Sequence, residues 1–228
     1  MKIAGMIKSS LIDFPGLVSC VLFVPGCNYN CFYCHNRSLI DGSYVITDPR
    51  MVIQFLEKRV GLLDGVVITG GEPTLRSGLM QYLAMIKAMG YKIKLDTNGS
   101  SPDVIKQILS EELCDYFAVD YKAPASRYKE ICGNGANADV VLETIRLLQH
   151  HDIDFEVRTT VIPQLSEADL LTMAKELPLL NKYVLNRYRK PEKFIPSDIQ
   201  RVSKTPYSSL ELQHLASAIA HVQPNVKA

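Results

Sequence analysis

The sequence predicts an α/β protein, a partial (β/α)6 barrel of parallel strands with outer helices. Three observations predict it. Short apolar runs rich in β-branched residues alternate six times with longer segments of helical period. Strand, helix, strand in that repetition implies parallel pairing with right-handed crossovers. Six units of about 35 residues each suit an open barrel better than a closed eight-stranded one; a doubly wound open sheet is the alternative. A chain of 228 residues should bury roughly 70–75% of its unfolded surface. That is core enough for one domain over 1–228, with a C-terminal basic loop and helix at 186–228.

The expected strands are 18–25 (VSCVLFVP), 65–70 (GVVITG), 91–96 (YKIKLD), 116–121 (YFAVDY), 154–162 (DFEVRTTVI) and 182–188 (KYVLNRY). Helix starts are legible between them. Asp48-Pro49 and Ser101-Pro102 each place a capping residue before a proline suited to the first helical turn. Ser166 with Asp169, and Ser208 with Glu211, have capping-box spacing. Leu79, Leu83 and Ile86, and Val141, Ile145 and Leu148, lie at the spacing of buried helix faces.

Charge and composition exclude several classes. Lys and Arg number 25 against 24 Asp and Glu, with a pI near 7.6, so no electrostatic footprint for nucleic acid or an anionic membrane exists. Lys8 and Asp13 interrupt the apolar residues near the start, and no stretch has the ~18 apolar residues of a membrane span. The expected location is cytoplasmic, where clustered cysteines bind metal or do chemistry more often than they form disulfides.

In parallel β/α folds, chemistry collects where the carboxyl ends of the strands converge, and every expected strand here ends in unusual residues. The first runs into Cys27-Asn28-Tyr29-Asn30-Cys31-Phe32-Tyr33-Cys34-His35-Asn36. Three thiolates at Cys-x3-Cys-x2-Cys spacing can hold three corners of an iron–sulfur cube, leaving one iron open to a small molecule. Zinc would want a fourth ligand, and His35, directly after Cys34, is an awkward chelate partner. Cys20 reads as a small buried hydrophobe, Cys114 and Cys132 as structural or incidental.

The second strand ends in Gly70-Gly71-Glu72-Pro73. Paired glycines let backbone approach a ligand and offer carbonyls to an ammonium, with Glu72 adding charge for it; a tight turn with a solvated glutamate is the plainer reading. Asp96 and Asp120 end neighbouring strands, where two carboxylates can hold a cation with help from Thr97, or bind ribose hydroxyls. Lys122 can reach a carboxylate or pair with Asp120. Arg158 lies in a polar stripe with Glu156 and Thr160, facing a lined cavity or paired with Glu156. Tyr33 packs on an adenine or the cluster, or belongs to the core, and His35 is a second-shell group or solvated.

The loop CNYNCFYC resembles the cluster-binding motif of the radical S-adenosylmethionine (SAM) superfamily, and Gly70-Gly71-Glu72-Pro73 resembles its motif for the methionyl amine. With the six β/α units, the resemblance covers roughly residues 1 to 190. It implies a 4Fe-4S cluster on Cys27, Cys31 and Cys34 whose open iron is chelated by SAM, and a 5′-deoxyadenosyl radical formed by one-electron cleavage of the sulfonium. Tyr-Cys-His-Asn at 33–36 and Leu11-Ile12-Asp13-Phe14-Pro15-Gly16 resemble glycyl-radical enzyme activating proteins, most of all those of anaerobic ribonucleoside-triphosphate reductase. Pyruvate formate-lyase activating enzymes share Tyr-Cys-His-Asn and Asp-Thr-Asn-Gly (96–99) but usually carry Gly-Pro-Gly where this chain has Phe14-Pro15-Gly16. 7-Carboxy-7-deazaguanine synthases usually have Asp-Thr where His35-Asn36 stands. A non-catalytic metal module would bind metal without cleaving SAM. The implied partners are a glycyl-radical enzyme and a reductant such as flavodoxin or ferredoxin. Segment 122–137 reads as a lid or docking loop. Residues 186–209, with six Lys and Arg against two acidic residues, read as a solvated loop or a dock for an acidic surface.

Overall fold

The computed structural model describes residues 1–228. Its fold is α/β: eight strands lie in chain order in a mostly parallel sheet, accompanied by nine α-helices. The strands are β1 (Gly5–Ser10), β2 (Ser19–Val24), β3 (Gly65–Gly70), β4 (Lys92–Thr97), β5 (Tyr116–Asp120), β6 (Asp154–Val161), β7 (Tyr183–Arg187) and β8 (Val226–Lys227). All six expected strands are present, as β2 to β7. The helices are α1 (Arg37–Asp41), α2 (Pro49–Glu57), α3 (Leu79–Ala88), α4 (Pro102–Ser110), α5 (Tyr128–Cys132), α6 (Ala138–Gln149), α7 (Glu167–Glu176), α8 (Ile199–Val202) and α9 (Ser209–Ile219).

The chain divides into two compact units. The first comprises Met1–Cys27, Ser38–Thr97 and Asp103–Ala118. Here β1 pairs antiparallel with β2, and β2, β3 and β4 pair in parallel, with Cys20 opposite Val66 and Val66 opposite Ile93. β2, β3 and β4 are buried on both faces over most of their length, as parallel strands between layers should be. Phe14, Val21, Val67 and Tyr116 form one cluster, flanked by Leu17 and Phe23, while Cys20, Leu22, Val24, Val66 and Ile68 alternate onto the opposite face and are fully buried. Asp48 caps α2 through the Arg50 N–H, with Pro49 at the first position.

The second unit comprises Asn28–Arg37, Asn98–Pro102 and Val119–Ala228. Here β6, β7 and β8 pair in parallel. Val157, Thr159 and Val161 are buried, and Thr159 Oγ1 donates to the Tyr121 carbonyl at 2.6 Å. Both capping boxes form, Ser166 with Asp169 and Ser208 with Glu211. Val141, Ile145 and Leu148 of α6 are fully buried.

Two expected loops are structured. Segment 122–137 contains α5, whose Tyr128, Ile131 and Cys132 are almost wholly buried, and Arg127 just before it pairs with Asp169 at 2.9 Å. A helix anchored by that much apolar burial is not a free lid. In 186–209, Arg201 lies 3.8 Å over the Phe32 ring, Arg187 Nε donates to the Tyr207 carbonyl, and Lys190 Nζ lies over the Phe194 ring. Half of the six basic side chains are thus folded back onto protein.

Candidate active site

In the first unit the site is a backbone junction. A Cβ on Gly70, whose φ is +119°, would lie 2.5 Å from both the N and the O of Val24, and one on Gly71 would lie 2.0 Å from the Gly26 carbonyl oxygen. Only glycines let the end of β3 come this close to the end of β2. Two hydrogen bonds close the junction: Gly71 N–H donates to the Val24 carbonyl and Glu72 N–H to the Gly26 carbonyl, each at 2.8 Å. The paired glycines thus bring the end of β3 onto the strand leading into Cys27.

Glu72 has no solvent exposure. Its Oε1 accepts from Thr74 N–H at 3.1 Å, Thr74 Oγ1 at 2.7 Å and Thr97 Oγ1 at 2.7 Å. A buried carboxylate carries a large desolvation cost unless several donors meet it, so this is not the solvated glutamate of an ordinary turn. Asp96 pairs with Lys94 Nζ at 2.7 Å, and that lysine is itself 2% exposed.

In the second unit the cysteine loop is held from several directions. Asn98 Nδ2 donates to Asn28 Oδ1, and Asn28 Nδ2 donates to Ser100 Oγ, both at 2.9 Å. The Asp-Thr-Asn-Gly turn after β4 therefore anchors the loop through Asn98. Arg37 is 5% exposed and donates to Asn30 Oδ1 at 2.5 Å and to the Cys31 carbonyl at 2.8 Å. Cys34 N–H closes a turn onto the Cys31 carbonyl at 3.2 Å. Cys31 is buried, Cys27 and Cys34 are partly exposed, and none of the six cysteines forms a disulfide. Tyr33 packs edge-on against Phe32 and Tyr188. His35 is exposed.

The thiols differ in acidity. A hydrogen bond from the Cys132 thiol is the main cause that pulls the Cys31 pKa down, with Lys122 and Arg37 assisting against burial. Burial pushes the Cys34 thiol up, and a charged Cys31 adds to this. At the end of β5, Asp120 accepts from Lys122 Nζ and Arg158 Nε, each at 2.9 Å. Burial pushes the Asp120 carboxyl up, but Arg158 and Lys122 outweigh it and hold the group at about 2.

Asp96 is paired with Lys94, and Asp120 with Lys122 and Arg158. Arg158 pairs with Asp120, and Glu156 binds Lys182. Cys132 is not incidental, since its thiol meets Cys31. A separation of about 100 residues gave no sequence signal for that pairing, and none marked Asn28, Asn98 and Ser100 as a unit. Arg37, three residues after Cys34, was visible but had no pattern to single it out.

A model of the radical SAM superfamily matches residues 21–177. The chain belongs to the radical SAM superfamily. It is 30% identical over 201 residues to a putative glycyl-radical enzyme activating enzyme of Methanocaldococcus jannaschii, covering 84% of this chain and 82% of that one. A second protein of the same description and organism is 28% identical over 152 residues, 65% of this chain and 58% of that one. Among solved structures, Streptococcus suis SuiB bound to S-adenosylmethionine superposes with a TM-score of 0.67 over 91% of this chain and 50% of that one, at 13% identity; this likeness is one of fold.

Membership of the superfamily implies a 4Fe-4S cluster and SAM. The residues present fit both. Three thiols stand in one eight-residue loop, and beside them Tyr33 Oη and Arg37 Nε are buried donors with no partner in the polypeptide. Leaving such groups unsatisfied costs about 1–3 kcal/mol each, so a polar or anionic group suits this loop. No helix is long and apolar enough to cross a membrane.

Proposed function

We propose that the protein is a glycyl-radical enzyme activase, and that its partner is an anaerobic ribonucleoside-triphosphate reductase. The observation that carries this reading is the 30% identity to a putative activating enzyme across most of both chains, joined to Tyr-Cys-His-Asn at 33–36. When bound, the cluster and SAM supply a 5′-deoxyadenosyl radical, which takes one hydrogen atom from a glycine Cα of the partner.

The chain's own residues bind and orient. Cys27, Cys31 and Cys34 ligate three irons. The Gly70-Gly71-Glu72 turn receives the methionyl amine, with the Glu72 carboxylate fixed in place by Thr74 and Thr97. Lys122, held by Asp120, and Arg158 on the same carboxylate form a rigid cationic pair suited to the methionyl carboxylate. Tyr33 packs beside the adenosyl group or the cluster. The reductant is a low-potential carrier such as flavodoxin or ferredoxin, and the protein acts in the cytoplasm.

The test is glycyl-radical EPR. Anaerobically reconstituted protein with reductant and SAM is mixed separately with an anaerobic ribonucleotide reductase and a pyruvate formate-lyase, with Cys31→Ala as control. A glycyl doublet with the reductase, absent with the variant, supports the reading. A doublet only with the lyase moves the partner. No doublet with either, despite 5′-deoxyadenosine release, overturns the activase assignment and keeps the cofactor chemistry.

A further inference from the structure

Residues 186–209 hold six of the chain's 25 Lys and Arg against two of its 24 acidic residues, which leaves 19 against 22 elsewhere. Positive charge is thus concentrated in one segment of an otherwise slightly acidic chain. Hydrogen bonds fold that segment back on itself: Arg187 Nε donates to the Tyr207 carbonyl at 2.9 Å, Tyr188 Oη to the Val202 carbonyl at 2.9 Å and Lys190 Nζ to Ser203 Oγ at 3.0 Å. The two limbs therefore bring Arg189 and Lys190 close to Lys204, and all three are exposed, as is Lys193. Arg189, Lys193 and Lys204 make no ion pair, and of the two acidic residues Asp198 is already paired with Arg201. Ile195 and Ile199 of the same segment are exposed too. The segment also packs on the cysteine loop: Arg201 of α8 lies 3.8 Å over the ring of Phe32, which stands between Cys31 and Cys34, and Tyr188 meets Tyr33 edge-on.

An electron donor needs only to approach the loop that carries the cluster, whereas the glycine of a target enzyme must reach the adenosyl carbon. A basic face standing on the cysteine loop suits the first task. Complementary charge steers a small acidic partner to such a face and raises association rates by roughly 10- to 1,000-fold, and electron-transfer encounters use small interfaces, under about 1,200 Å². We propose that the basic face of residues 186–209, with Ile195 and Ile199 as its exposed apolar residues, is the docking surface for the acidic low-potential carrier that reduces the cluster. The proposal rests on the reductant and cluster ligation given under the proposed function, and is independent of which glycyl-radical enzyme is the target. In the docked pair the reduced carrier gives one electron to the oxidised cluster, with no bond made or broken.

The experiment is anaerobic stopped-flow reduction of the reconstituted holoprotein, without SAM, by pre-reduced flavodoxin and, separately, by a pre-reduced [2Fe-2S] ferredoxin, followed by diode-array absorbance that separates carrier from cluster. The wild type is compared with the triple variant Arg189→Glu, Lys193→Glu, Lys204→Glu and with its neutral counterpart Arg189→Gln, Lys193→Gln, Lys204→Gln. A charge-matched control carries Lys2→Glu, Lys58→Glu and Lys106→Glu, all at exposed positions of the first unit. Dithionite, too small to need a docking face, reports on the cluster itself. With whichever carrier reduces the wild type, the second-order rate constant is expected to fall about tenfold or more in the glutamate triple and less in the glutamine triple. Added salt should slow the wild type and have much less effect on the glutamine triple, while the control and all dithionite rates stay near wild type. A rate unchanged in the glutamate triple, or lowered equally in the control, overturns the proposal, as does a loss that dithionite shares. Normal reduction with a weaker glycyl-radical signal assigns the face to the glycyl-radical enzyme and also overturns it, while the activase reading stands. If the glutamate triple does not fold or load, the glutamine triple decides by the same criteria. A wild type reduced by dithionite and by neither carrier removes the carrier and its docking face together, and leaves the activase reading to the glycyl-radical signal.

Discussion

Replacing Gly71 with alanine tests the junction between β3 and the entry to the cysteine loop. The new Cβ would stand 2.0 Å from the Gly26 oxygen and 2.6 Å from its carbonyl carbon, against ordinary contact at about 3.5 Å. The obstacle is backbone, which no rotamer change relieves. The two chain segments must separate by ~1.5 Å, which overstretches both 2.8 Å hydrogen bonds that join them. Overpacking at about 1–3 kcal/mol and two hydrogen bonds at about 0.5–1.5 kcal/mol each sum to ~2–6 kcal/mol. For a chain of this size, at about 2–4 °C per kcal/mol, that is a fall in Tm of about 4–24 °C. Gly5→Ala is the matched control, since its Cβ would meet nothing closer than 3.7 Å. The assay is thermal unfolding of the apoprotein by far-UV circular dichroism, followed by iron content after reconstitution. The expected result is a large loss of Tm and poor cluster loading for Gly71→Ala, with Gly5→Ala near wild type. A Gly71→Ala protein that melts within a degree or two of wild type would refute the claim that this glycine exists for backbone contact.

Other perturbations follow from the same contacts. Thr97→Val removes a 2.7 Å donor from the buried Glu72 carboxylate and should destabilise by about 1–3 kcal/mol, read by urea unfolding, with weaker SAM binding by equilibrium dialysis. Asp120 has its carboxyl held at about 2 against an ordinary value of 3.8; because the folded value is the lower one, its contribution is full above about pH 4 and lost as pH falls toward 2. It amounts to ~1–2 kcal/mol once its partial exposure is allowed for, so between pH 5 and 2.5 the wild type should lose that much more stability than Asp120→Asn, and equal losses would contradict it. Arg201→Ala removes the cation 3.8 Å above Phe32 and a donor to the Glu130 carbonyl; ~1 kcal/mol of local stability should go, seen as faster amide exchange over residues 28–36 with the rest of the chain unchanged.

Much of this protein is written locally. The six strands β2 to β7, the capping boxes at Ser166 and Ser208, and the proline-started helices α2 and α4 depend on residues within a few positions of each other, so periodicity and cap chemistry reveal them. The three cysteines are legible for the same reason, since chelation by one short loop writes itself as spacing. β1 and β8 were missed because β1 joins the sheet antiparallel at its edge with three exposed residues, and β8 is two residues long; neither carries a full buried pattern. Tertiary structure alone decided which charges meet. Arg158 is paired with Asp120, 38 positions away on the neighbouring strand, because strand pairing brings side chains together by register and not by sequence distance. It also joined the paired glycines to the end of β2 in a backbone junction, and folded α5 onto the cysteine loop. Sequence spacing determines which groups one loop can present; only packing determines what stands opposite them.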